Sequence, residues 1–152
     1  MRRVLVLLAV LWVCEGVKFG QICEGNPSNT RRTSDVHGNG NYGARRQGGR
    51  THDGVDVICR DGSVVYAPFD GTIRRKLIVY GDPAKAAIDQ GLEMEGGGLR
   101  FKMFYVRPDK SSGAVMKGQR IGVMLPMQSV YPRITSHVHV ELTNKRDPTP
   151  YF

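Results

Sequence analysis

Beyond residue 14 the chain holds no long apolar run, so nothing after that point is able to span a bilayer as a helix. Three cysteines exclude a zinc site built from four of them. The one Asn-x-Ser/Thr pattern is spoiled because Pro27 follows Asn26, so N-glycosylation is not expected. No segment repeats at a fixed period. Few aromatics are interleaved with the basic clusters Arg31-Arg32, Arg45-Arg46 with Arg50, and Arg74-Arg75-Lys76, which argues against nucleic acid as a partner. Histidine is scarce as well: His37, His52, His137 and His139 are the whole supply.

What is present begins with the N-terminus. Arg2 and Arg3 precede an apolar run from Val4 to Cys14, and the small Gly16 follows. That is the pattern of a signal peptide over residues 1–16, with the mature, secreted chain starting near Val17. The run is about half the length of a membrane span, so no membrane insertion is expected. The remaining 17–152 is the size of one domain. Cys14 leaves with the signal, and the even pair Cys23 and Cys59 reads as one disulfide in an oxidising compartment. Closing such a loop contributes about 4 kcal/mol. The full chain carries 22 basic and 14 acidic residues, net +8; without Arg2, Arg3 and Glu15 it is near +7. A balance of that kind favours acidic partners such as sulfated glycans, bacterial walls or anionic receptor faces.

Residues 24–51 are rich in Gly, Asn, Ser, Thr and Arg and read as a long loop rather than a packed element. After them come short β-prone runs punctuated by Gly, Pro and Asp. Strands are expected at 54–59, 64–67, 71–79, 92–95, 99–106, 119–125 and 137–142. In the fifth, Phe101, Met103 and Tyr105 are expected on one face and Lys102 and Phe104 on the other. Asp82 followed by Pro83 marks the start of a short helix. The fold class is therefore all-β, an antiparallel sheet or sandwich with one decorated N-terminal loop.

Three of the four histidines fall in two compact motifs, His52-Asp-Gly-Val-Asp56 and His137-Val-His139. Side chains two apart on a strand share a face, so His137, His139 and Glu141 point together while Val138, Val140 and Leu142 point inward. Glu141 is placed to hold an imidazole N–H. Asp56 alternates with Val55 and Val57, and Gly54 is expected to let the backbone turn so that His52 and Asp56 converge. Two imidazoles and a carboxylate suit one Zn2+ with a position left for water. The expected ligands are His52, Asp56 and His139. His37, in the glycine-rich loop, reads as a plain exposed side chain.

His52-x-x-x-Asp56 with His137-x-His139 resembles the signature of lysostaphin-type zinc endopeptidases, β-sheet enzymes that cleave glycyl bonds in bacterial wall peptides. The stretches from Gly62 to Thr72 and from Lys117 to Gly122 resemble that family's strands on either side. A resemblance covering nearly all of residues 17–152 is to the leukocyte cell-derived chemotaxin 2 family. It rests on Val65-Tyr-Ala-Pro-Phe69, Lys102-Met-Phe-Tyr105, Val130-Tyr-Pro132, Ser136-His-Val-His139 and Asp147-Pro-Thr149.

The resemblance implies zinc on His52, Asp56 and His139, with His137 as the histidine that assists the attacking water in active peptidases. Those enzymes use a further histidine on a mid-domain strand; the matching position here is Tyr105, and no histidine lies between His52 and His137. Losing such a donor costs about 10²- to 10³-fold in rate. The chemotaxin family's two other disulfides would fall at Ser34 with Asn39 and at Arg100 with Thr143. If Cys23–Cys59 pins the start of the long loop beside the metal strand, Asn39 or Asn41 would cover the zinc. The resemblance implies a catalytically inactive, chemotactic signalling protein that binds a receptor on leukocytes. The alternatives are an active zinc endopeptidase against bacterial wall peptides and a glycan- or wall-binding module.

Overall fold

The computed structural model describes residues 17–152, so the expected signal peptide lies outside the described residues. Among the described residues eleven strands follow in chain order: β1 (Ser34–Asp35), β2 (Gly38–Asn39), β3 (Val55–Ile58), β4 (Val64–Tyr66), β5 (Gly71–Ile78), β6 (Gln90–Gly96), β7 (Leu99–Phe104), β8 (Val106–Pro108), β9 (Gly113–Val115), β10 (Arg120–Met124) and β11 (His137–Leu142). Six of them form an antiparallel sheet in the order β3-β11-β7-β6-β5-β9, three form a second sheet, β4-β10-β8, and β1 and β2 form a small hairpin. The fold is all-β, as the alternation and turn residues indicate.

One core serves both larger sheets. Val57, Ile73, Leu92, Met94, Phe101, Met103, Val138 and Val140 from the six-stranded sheet meet Val65, Val106, Ile121 and Met124 from the three-stranded one. Phe19 anchors the N-terminal segment here, its ring edge-on to Phe101 and stacked on Phe152. The helix marked by Asp82 is a 3-10 segment, Pro83–Ile88, whose cap is the Asp82 side chain accepting from the Ala84 N–H.

Two expectations need correction. Residues 24–51 are not an unpacked loop: they contain the β1–β2 hairpin, and polar side chains replace apolar ones as its packing. The buried Asn29 amide donates to the Phe19 and Gly20 carbonyls and its oxygen accepts from the Ile22 N–H. Asn26 likewise donates to the Thr30 and Ile58 carbonyls. The strand expected over 99–106 is two strands, broken at Tyr105, where φ is +71°. Tyr105 donates its N–H to Gln90 in the six-stranded sheet and accepts from Leu125 beside the three-stranded one. The chain changes sheets at this residue. The left-handed corner turns the Tyr105 ring away from the face it would share with Phe101 and Met103.

Candidate metal centre

β11 is buried along its whole length, with Val138, Val140 and Leu142 in the core and His137, His139 and Glu141 on the opposite face. Ladder register sets Asp56 of β3 directly opposite His139, and Phe104 of β7 opposite it on the other side. The Phe104 ring stacks on His139 at 5.1 Å. His52, just before β3, is brought in by the backbone rather than by a strand: it exchanges hydrogen bonds with Gly43 and Ala44.

Three donor atoms converge there. His52 Nε2 lies 2.9 Å from His139 Nδ1, and each lies 3.0 Å from Asp56 Oδ1. The three residues are the group of His, Cys, Asp and Glu able to hold a metal ion among the described residues. The donor set fits a small divalent cation at the roughly 2.0–2.1 Å typical of zinc–nitrogen bonds. The outer ring nitrogens support this. The outer nitrogens, His52 Nδ1 at 2.9 Å from the Asn41 carbonyl and His139 Nε2 at 3.2 Å from Glu141, are placed to keep a proton when an ion takes the inner ones, which in the metal-free protein face Asp56 instead. Glu141 thus has the place expected from strand alternation.

Burial and charge tune each group. Asp56 is 1% exposed; burial alone would raise its pKa, yet hydrogen bonds from His139 and His52 hold it well below the usual carboxylate range. Glu141 is similarly opposed by burial but drawn down to about 2 by His139 and Lys145. For His139 burial pushes down and the bonds to Asp56 and Glu141 push up, with a net rise. His137 is lowered by burial, so it is neutral at pH 7. Its Nδ1 donates to the Thr135 carbonyl at 2.7 Å, and its Nε2 stands 3.4 Å from Asp56 Oδ2.

Gly54 is required, for a reason other than the turn expected. A Cβ there would lie 2.4 Å from the Val140 carbonyl oxygen and 2.7 Å from His139 Cε1. Only a residue without a side chain fits against the His139 imidazole.

Tyr105 packs edge-on against His137 at 5.7 Å and its hydroxyl meets that of Tyr80 at 2.8 Å. Burial pushes the Tyr105 phenol up to about 12, and Tyr80 is also raised, so both keep their protons at neutral pH. Lys85 caps the group with its ammonium 4.3 Å from the Tyr80 ring centre. His37 is exposed as expected, yet it is engaged: Nε2 lies 2.8 Å from the Pro132 carbonyl and the ring meets Tyr131 at 5.5 Å. Sequence reasoning placed Asn39 or Asn41 over the metal. It is the backbone of this segment that closes on the site, through Asn41 O to His52 and Gly40 O to the Asp56 N–H.

One functional side chain was missed. Arg32 is 2% exposed, and its Nη1 donates to Asp56 Oδ2 at 3.0 Å. Asp35, three residues on, was the only available signal. The disulfide Cys23–Cys59 is present, with Cα atoms 5.5 Å apart.

No protein-family model matches the chain. "Leukocyte cell-derived chemotaxin-2" of Bos taurus is 45% identical over 148 residues, 97% of this chain and 96% of that protein. The chain belongs to the leukocyte cell-derived chemotaxin-2 family. The Mus musculus member is 44% identical over 98% of this chain and 97% of its own length. Among solved structures, Helicobacter pylori Csd3 shares the fold, with a TM-score of 0.58 at 22% identity over 90% of this chain and 35% of that one. The positions where the chemotaxin resemblance implies further disulfides are neighbours here without thiols. Ser34 pairs with Asn39 across the hairpin, and Thr143 N and Oγ1 both reach the Arg100 carbonyl, at 3.0 and 3.3 Å.

Proposed function

We infer that this is a secreted signalling protein in which a zinc ion held by His52, Asp56 and His139 supports a receptor-binding surface without catalysing hydrolysis. The observation that carries the reading is Tyr105. It stands at the mid-domain position that the peptidase resemblance gives to a further histidine, its ring packs edge-on to His137, and its hydroxyl is already bonded to Tyr80. The three ligands are 1–8% exposed, which leaves little room for a substrate at the metal. Bound zinc would polarise a carbonyl and bring the pKa of a coordinated water near 7. The chain would still lack one donor for the developing oxyanion.

Export is supported by the disulfide and by the apolar run after Arg2 and Arg3. The relatives' name describes a factor derived from leukocytes with chemotactic action, and a leukocyte receptor is the partner proposed here. The arm at residues 43–52 presents Arg45 and Arg50 to solvent and contains no acidic side chain, which fits an acidic receptor face or a sulfated glycan.

One observation favours the peptidase reading: neutral His137, with Nε2 free as an acceptor 3.4 Å from Asp56. The test measures metal content, leukocyte migration and hydrolysis of an oligoglycine or bacterial wall peptide on one preparation. The expected result is one zinc per chain, lost in His139→Ala, with migration activity kept in His137→Ala and no turnover. Zinc-dependent hydrolysis abolished by His137→Ala would establish the peptidase instead. Salt-sensitive glycan or wall binding indifferent to chelation, without migration activity, would point to a binding module.

A further inference from the structure

Asp56 has two carboxylate oxygens with different surroundings. Oδ1 faces His52 Nε2 and His139 Nδ1, both at 3.0 Å. Oδ2 faces Arg32 Nη1 at 3.0 Å and His137 Nε2 at 3.4 Å. The rest of the Arg32 fork is committed as well. Nε and Nη2 donate to the two oxygens of Asp35 at 2.8 and 2.7 Å. Asp35 in turn accepts from the His37 N–H at 2.8 Å and from the Thr135 N–H at 2.9 Å. The Thr135 carbonyl takes the His137 Nδ1 proton at 2.7 Å. The hydrogen bonds form a chain from Asp56 through Arg32, Asp35 and Thr135 to His137, whose Nε2 comes back to within 3.4 Å of Asp56 Oδ2. It joins the strand bearing one carboxylate to the strand bearing two imidazoles.

We propose that Arg32, keyed by Asp35, is a positioning residue of the metal centre that reserves Asp56 Oδ2, so that Asp56 offers a single oxygen to the ion. This rests on the reading of His52, Asp56 and His139 as the ligands. Geometry explains why arginine stands at this position. Its planar fork bonds both oxygens of Asp35 and one of Asp56 in fixed directions, a geometry that the point-like ammonium of lysine does not reproduce. A buried guanidinium is costly unless its charge is paired, and here one side of the fork holds the hairpin carboxylate and the other holds the ligand. The purely structural alternative is that the pair only ties β1–β2 to the body. That role would affect stability and leave coordination untouched.

The test uses the full mature chain loaded with cobalt, whose visible absorption weakens as coordination number rises, together with zinc competition and melting of the metal-free protein. The variants are Arg32→Lys and Asp35→Asn. With Oδ2 released, Arg32→Lys is expected to lose half or more of the visible band and to bind zinc about ten-fold or more weakly. Asp35→Asn should move both readouts in the same direction by a smaller factor, and it carries the test if Arg32→Lys fails to fold. A wild-type cobalt spectrum with zinc affinity within two-fold in the folded variants, however much their melting falls, overturns the proposal. Failure of the wild type to take up cobalt or zinc, or full uptake by His139→Ala, overturns the ligand reading itself.

Discussion

Replacing Gly54 by alanine adds one methyl group at the most constrained point of the centre. That Cβ would sit 2.4 Å from the Val140 carbonyl oxygen, a backbone atom in mid-strand that cannot swing aside. It would also stand 2.7 and 2.8 Å from Cε1 and Nε2 of His139. Overpacking of this kind costs about 1–3 kcal/mol. At roughly 4 °C per kcal/mol for a domain of this size, the metal-free protein should melt about 4–12 °C lower. The second effect is on the metal. Pushing the His139 ring strains its bond to Glu141 and shifts Nδ1 from the triangle, so zinc affinity should fall about 10- to 100-fold. The stabilisation by a fixed zinc excess then shrinks by about 1.4–2.8 kcal/mol. Thermal melts with and without zinc, and a competition titration, read both quantities. Gly48→Ala is the control: its φ is +75° but a Cβ there meets nothing within 4 Å, so its cost is backbone strain alone and its zinc affinity should equal wild type. If Gly54→Ala melts and binds zinc like wild type, the close approach of Gly54 to His139 is not a feature of the protein.

Two further outcomes follow from the same contacts. Glu141 drops from 4.5 to about 2 in the folded protein, so its contribution is complete above about pH 4.5 and is lost as pH falls toward 2. In the metal-free protein Glu141→Gln should flatten that limb of the stability profile by at most about 3 kcal/mol, and an unchanged profile in denaturant titrations across this range would count against the His139–Glu141–Lys145 contact. Replacing Cys23 and Cys59 together by alanine should cost about 4 kcal/mol and about 15 °C of melting temperature. Zinc should still bind below the new midpoint, because no ligand is carried by either cysteine; loss of binding in the folded variant would show that the disulfide positions the centre.

Much of the centre was legible because strand alternation is strict where both neighbours are paired. β11 is paired on both sides, by β3 and β7, so His137, His139 and Glu141 on one face and Val138, Val140 and Leu142 on the other follow from spacing alone. The same rule failed at Tyr105, where the chain leaves one sheet for another and a positive φ replaces the pleat. Composition also misled over 24–51. Few apolar residues suggested an open loop, whereas Asn26, Asn29 and Arg32 pack it through hydrogen bonds that no hydrophobic pattern reveals. Arg32 looked like half of a basic cluster; its two carboxylate partners are three and 24 residues away, and only the first is local.

The sequence by itself determined the all-β class, the disulfide pair, and the residues of the candidate metal site, since each depends on local periodicity or on the scarcity of a residue type. Tertiary structure alone decided that His52 reaches the strand pair, that Tyr105 turns toward His137, and that a buried arginine holds one oxygen of Asp56. Those three facts depend on where distant backbone segments meet. Distances of about 3 Å between side chains dozens of residues apart are set by the sum of the packing, and no short window of sequence contains them.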